Sequence, residues 1–233
     1  MREPVVAPAA VDVSPRDTAR VRRWAAAAVA ANAAFVFFWL LAASWQGPRY
    51  SVTAHTISDM YAETAPGGAF LAVVITLCGA AVLLFTRFSV WPALRAAGRP
   101  ALVGTVLLAT SIYGLGDLLS LFEREACRQA DPGCTASDQL ANAGGALDAT
   151  LSPLGVLSLV AAGFFLAAAM KKLPAWQDLA APTRRAAYVL LGLLALNAVF
   201  GGSGIGGLCE RLLAVAGAAA LSLLAIEVRR RTR

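Results

Sequence analysis

Histidine is almost absent: His55 is the only one among 233 residues. A haem-bridging membrane cytochrome needs paired axial ligands, and an intramembrane zinc hydrolase needs several histidines. Neither class is open to this chain, and no cofactor or metal is expected. Charge is also scarce, at 15% of residues against 58% hydrophobic, too little for a soluble domain of this length. The four cysteines contain no CxxC pair, which removes a thiol-oxidase reading. No apolar segment alternates with period two, as a transmembrane barrel would require. The glycine run from Gly201 to Gly207 lacks the Lys-Ser/Thr that a phosphate loop requires. The net charge of +6 follows no basic face interleaved with aromatic platforms, so nucleic acid is not a partner.

What the chain does contain is apolar stretches near the roughly 20 residues that span a bilayer. Six are read: Trp24–Trp45, Gly67–Phe85, Ala101–Phe122, Leu151–Met170, Ala186–Phe200 and Leu212–Val228, the fifth with the least defined end. The expected fold is an all-α polytopic membrane bundle of six transmembrane helices. Residues 1–23 are expected as a disordered cytoplasmic tail, 24–228 as the transmembrane domain and 229–233 as a basic cytoplasmic tail. The first apolar run exceeds the roughly 7–15 residues of a signal-peptide core and reads as a retained helix.

Arginine and lysine set the expected orientation. Sixteen of the twenty fall on the termini and the loops of their side, and only Arg49, Arg124, Arg128 and Arg211 fall opposite. The basic side is cytoplasmic by the positive-inside rule, which puts both termini inside. Arginine outnumbers lysine eighteen to two and alanine is abundant, a composition that fits a high-GC bacterial genome and hence a bacterial cytoplasmic (inner) membrane. The outward side collects nine of the fourteen acids, seven of them in two loops, Gln46–Pro66 and Glu123–Thr150, too long to be mere turns. A site on this protein is therefore expected to open outward.

The residues with chemical potential lie at that level. His55 and Asp59 stand four apart, one face of a helix, as a general-base pair or as a simple loop brace. Tyr113, Asp117 and Ser120 form a polar stripe on the third helix, and an ionisable residue at membrane depth is a site hypothesis by default. Arg211 opens the sixth helix, where the macrodipole disfavours a cation, so it is expected to pair with Asp117, Asp59 or Asp148 or to hold an anionic ligand. Asn32 and Asn197 read as interhelical hydrogen-bond partners. Cys127 and Cys134, separated by a stretch that includes Pro132-Gly133, are expected to form a disulfide in an oxidising compartment.

Several of these segments carry a resemblance. Thr56-Ile57-Ser58-Asp59 after an aromatic-ended first helix, Gly114-Leu115-Gly116-Asp117 on the third, Cys127 with Asp131-Pro132-Gly133-Cys134, and Gly207-Leu208-Cys209-Glu210-Arg211-Leu212 opening the sixth resemble the bacterial membrane family catalogued as domain of unknown function 998. The resemblance covers roughly residues 24–228. It implies a six-helix bundle, distantly similar to autophagy-modulator and Frag-type proteins, and no established activity. One departure is Ala146-Leu147-Asp148, where the family pattern has a histidine opening the fourth helix.

The expected function is an accessory envelope protein, more a binder than an enzyme, with an outward pocket for a membrane lipid or other amphiphile lined by His55, Asp59, Asp117 and Arg211. The alternatives are a membrane hydrolase using His55 and Asp59 on a lipid-like ester or phosphoester, and a small transporter. A transporter requires midplane polar groups and broken helices, for which only Asn32 and Asn197 qualify. No particular protein partner is implied.

Overall fold

The computed structural model describes residues 15–232 as six long helices and short helical turns, with no strand among the described residues. The long helices are α1 (Arg16–Ala43), α2 (Gly68–Ala97), α3 (Arg99–Leu119), α4 (Ala143–Lys171), α5 (Pro174–Phe200) and α6 (Gly206–Arg231), each long and apolar enough to cross a bilayer. The protein is a six-span polytopic membrane bundle. Six crossings bring both ends to one side and leave the segments 44–67, 120–142 and 201–205 on the opposite face.

The helices run past the apolar windows that mark them. α1 starts at Arg16 and not Trp24, so residues 16–23 are helical and not a disordered tail; residues 1–14 of that expected tail lie outside the described residues. α4 starts at Ala143 and so carries Asp148, and α6 carries Arg211 and Arg229–Arg231, which form no separate tail; Arg233 lies outside the described residues. α5 absorbs Pro182 near its start. Hydropathy falls at these ends, but backbone groups beside lipid still need partners, and continuing the helix supplies them. Caps then close the ends: Asn142 Oδ1 accepts from Gly145 N at 2.7 Å, opening α4. On the terminal side Arg231 bonds both oxygens of Asp178 (3.0 and 2.6 Å) and covers the Trp176 ring, tying α6 to α5.

α1 packs on α2 and α6, and α4 packs on α3 and α5. The core runs through Phe35, Leu71, Ile75, Val82, Leu108, Leu159 and Leu221. α5 is the outlier. From Gln177 to Phe200 only Ala187 and Leu190 are buried, leaving Tyr188, Val189, Leu196 and Val199 to face lipid.

α3 is broken. Thr110 ends its first part, Ser111 is extended (φ −69°, ψ 169°), and the chain resumes as a π-helical turn, Ile112–Gly116, before Asp117–Leu119. Carbonyls freed at such a break need donors in lipid. The local hydroxyls provide them: Thr110 Oγ1 donates to Leu107 O (3.3 Å), which has lost the Ser111 amide, and Ser111 Oγ to Leu108 O (2.7 Å). α4 closes over the gap at Gly155, where an added Cβ would stand 2.8 Å from Ile112 N, so glycine alone permits this approach. All three residues of the expected Tyr113, Asp117 and Ser120 stripe are buried beyond the break.

Candidate functional site

On the face opposite the termini, the first and second long loops are knitted into one lid. Arg124 donates to Tyr61 O (2.8 Å) and Ala62 O (3.0 Å), while Arg128 reaches Gln46 O (3.0 Å) and holds Asp131 (2.5 Å). Thr64 Oγ1 donates to the other Asp131 oxygen at 2.5 Å, and Glu63 N to Glu125 O at 2.8 Å. The Cys127–Cys134 disulfide closes the small loop that presents Arg128 and Asp131, with its Cα atoms 6.2 Å apart. Cys78 and Cys209 are free. Arg124 and Arg128 of the second long loop therefore staple the lid.

Arg211 is 4% exposed but forms no ion pair among the described residues, so the expected bridge to Asp117, Asp59 or Asp148 does not exist. Its Nη1 instead donates to three carbonyls, those of Val52 (2.8 Å), His55 (2.6 Å) and Gly207 (2.9 Å), and its Nη2 to the Tyr50 hydroxyl. The Trp39 and Tyr50 rings lie 5.5 and 5.9 Å from its Cζ. The reason is the path of the first loop, which winds over the start of α6. Thr53 O and Ala54 O accept from the Leu208 and Gly207 amides (2.9 and 3.2 Å), so the same turn caps the helix and turns further carbonyls toward the guanidinium. A Cβ at Gly207 would collide with His55 O. Carbonyl dipoles thus neutralise the cation that the helix dipole disfavours. Burial pushes the Tyr50 hydroxyl up to about 12, partly opposed by Arg211.

His55 and Asp59 do not form the expected helical pair. Residues 51–57 make turns and only Ser58–Tyr61 is helical, as a single 3₁₀ turn. His55 Nδ1 accepts the Ser51 amide (3.0 Å), and Asp59 Oδ1 accepts the Gln129 amide (2.5 Å) from the second loop. Asp59 is fully buried, and burial raises its carboxyl, against the Gln129 hydrogen bond and the His55 and Arg128 charges. Both residues are bound up in loop architecture.

Beneath the lid lies a cavity of about 420 Å³ between α3, α4, α5 and α6. Of the four expected lining residues only Asp117 reaches it; His55, Asp59 and Arg211 stand outside its lining. Its polar wall instead joins Asp117 to Asp148, Glu210 and Glu125, three acids that sequence reading left outside the site. Phe35, Ile75, Leu159, Leu194 and Leu213 make it apolar elsewhere. Asn197, expected between helices, lines it too, while Asn32 donates within its own helix to Ala28 O (2.8 Å). One signal for Asp148 was present: Ser152 follows four residues later, and its hydroxyl donates to Asp148 Oδ1 at 2.9 Å. Glu210 was masked by its neighbour Arg211; its Oε2 accepts the Ile57 amide at 3.0 Å, docking the loop from the cavity side.

The electrostatics of this wall are one-sided. Among the described residues no lysine, arginine or histidine lines the cavity. Asp117 is 6% exposed and its Oδ2 finds no hydrogen-bond partner, an omission worth about 1–3 kcal/mol. Burial, reinforced by Asp148, Asp59 and Glu210, pushes the Glu125 carboxyl up to about 8, against a hydrogen bond from Gln139 (2.7 Å). Glu123, behind the wall and 1% exposed, is pushed up to about 7 by burial and by Asp148. No three His, Cys, Asp or Glu among the described residues converge as metal ligands.

A family model described as "Protein of unknown function (DUF998)" matches residues 28–227, from the middle of α1 to the last turns of α6. No curated protein and no solved structure matches the chain.

Proposed function

Starting from a chain that belongs to the DUF998 family, whose description assigns no activity, we propose that the protein is an accessory membrane protein that binds an amphiphile, and not an enzyme. The observation that carries this reading is the cavity: about 420 Å³, polar beneath the lid and apolar deeper in the bundle. That volume lies within the roughly 300–1,000 Å³ of small-molecule sites, and its two-zone lining matches a polar head joined to a chain. α5, weakly buried, is the flank through which a lipid would enter from the bilayer. We place the protein in a bacterial cytoplasmic membrane with both termini inside, so that the cavity serves the outer leaflet; this rests on the sixteen-to-four division of basic residues.

A hydrolase built on His55 and Asp59 draws no support from their placement, since one atom of each accepts a backbone amide and neither residue lines the cavity. The transporter reading gains the break of α3 at Ser111, six residues before Asp117. Native mass spectrometry of protein extracted in mild detergent separates these readings. A retained amphiphile, lost when Leu213→Trp fills the cavity, is expected. Bare protein that also takes up nothing from a total lipid extract would sink the binding reading, and movement of a solute across sealed vesicles would favour transport.

A further inference from the structure

We propose that the occupant of the cavity carries a protonated amine, an N–H-bearing cationic head group held by Asp117, Asp148 and Glu210; this rests on the amphiphile reading above. The argument is a count of donors and acceptors. Four of the five lining hydroxyls are already committed to protein acceptors, which leaves over one of the Thr56–Ser58 pair and the Asn197 amide. Tyr61 and Ser152 donate to Asp148 Oδ1 (3.5 and 2.9 Å), Tyr113 donates to Ala214 O, and Thr56 and Ser58 share a proton between their hydroxyls at 3.0 Å.

Acceptors, by contrast, are in surplus. Asp117 Oδ2 is buried without a partner, and the carboxylates of Asp148 and Glu210 accept through one named oxygen each. Pro153 has no amide hydrogen, so the carbonyl of Ala149, another lining residue, loses its helical donor. A cavity rich in unspent acceptors and without a basic side chain selects a ligand rich in donors, and an ammonium offers three with a matching charge. An anionic or phosphate-only head would face uncompensated carboxylates. Arg211 is turned away into the carbonyls of Val52, His55 and Gly207, and Arg124 into those of Tyr61 and Ala62, so neither serves such an anion.

The test uses the full chain in phosphatidylcholine nanodiscs at neutral pH, with four probes followed by calorimetry: dodecylamine, dodecanol, dodecyl sulfate and butylamine. Dodecylamine is expected to bind about ten- to hundredfold more tightly than dodecanol, the worth of one charge-assisted hydrogen bond in a desolvated site, and dodecyl sulfate most weakly. Asp117→Asn should erase most of the advantage of dodecylamine over dodecanol. Dodecanol or dodecyl sulfate binding as tightly as dodecylamine to the unaltered protein would overturn the cationic head while leaving an amphiphile site intact. Butylamine matching dodecylamine would keep the cation and overturn the amphiphile. Binding of none of the four would overturn both. The comparison among head groups is made on the unaltered protein, so it stands even if the Asp117→Asn chain folds poorly.

Discussion

Arg211 shows how a buried cation can find partners other than the carboxylates expected for it. A buried cation near a helix start needs negative charge, and a carboxylate is the obvious source, but the carbonyls of a tight turn supply it without a second charge to desolvate. Arg211→Ala would leave three carbonyls and the Tyr50 hydroxyl without their donor and is expected to cost about 3 kcal/mol, read as a lower melting temperature and faster exchange of the Gly207 and Leu208 amides. Arg211→Lys is expected to recover more than half of that. Three acceptors crowd one nitrogen, which suits an ammonium better than it suits the bidentate fork of arginine. Equal losses for both variants would show that guanidinium shape, and not charge, is what the turn holds.

Among the elements, the broken α3 and the disulfide loop are the parts whose geometry the site depends on. Gly155→Val would drive a side chain into Ile112, 2.8 Å from the nearest backbone atom, and push α4 off the break. A loss of about 1–3 kcal/mol is expected, with a smaller loss of dodecylamine affinity, because Asp148 and Ser152 ride on the same helix. Unchanged stability would mean that α4 yields freely at Pro153. Replacing both Cys127 and Cys134 by alanine is expected to cost about 2–3 kcal/mol. In the unaltered protein both thiols should resist labelling until reduced. The disulfide was readable from spacing and a turn, whereas the break in α3 was not. Thr110 and Ser111 look like ordinary polar residues in an apolar run, and only the hydroxyl-to-carbonyl bonds they make explain how the chain stops being helical there.

At the scale of the whole molecule, burial of acids under one lid couples folding to pH. Glu125, held near 8, and Glu123, held near 7, bind protons more tightly folded than unfolded. Their stabilising effect is complete below the usual carboxylate range and is lost as pH rises through about 7 to 8. The melting temperature of the ligand-free protein should therefore fall between about pH 5 and pH 9, and Glu125→Gln should flatten that slope. A melting temperature that rises over the window would contradict the buried-acid wall. Reporter fusions at Ala97 and Ala65 should report opposite sides of the membrane, with Ala97 cytoplasmic; the reverse assignment would invert the proposed orientation. The six helices, the disulfide and the acid-rich face were determined by the sequence itself, because hydropathy, loop charge and cysteine spacing are local or additive quantities that lipid reads segment by segment. Which residues line the cavity was decided only by tertiary structure. Whether Arg211 meets Asp59 or the carbonyl of His55, and whether Asp148 lies in a loop or in a cavity wall, depends on how the first loop winds over α6 and how close Gly155 lets α4 come to α3. Those are contacts between segments distant in the chain, and no window along it contains them.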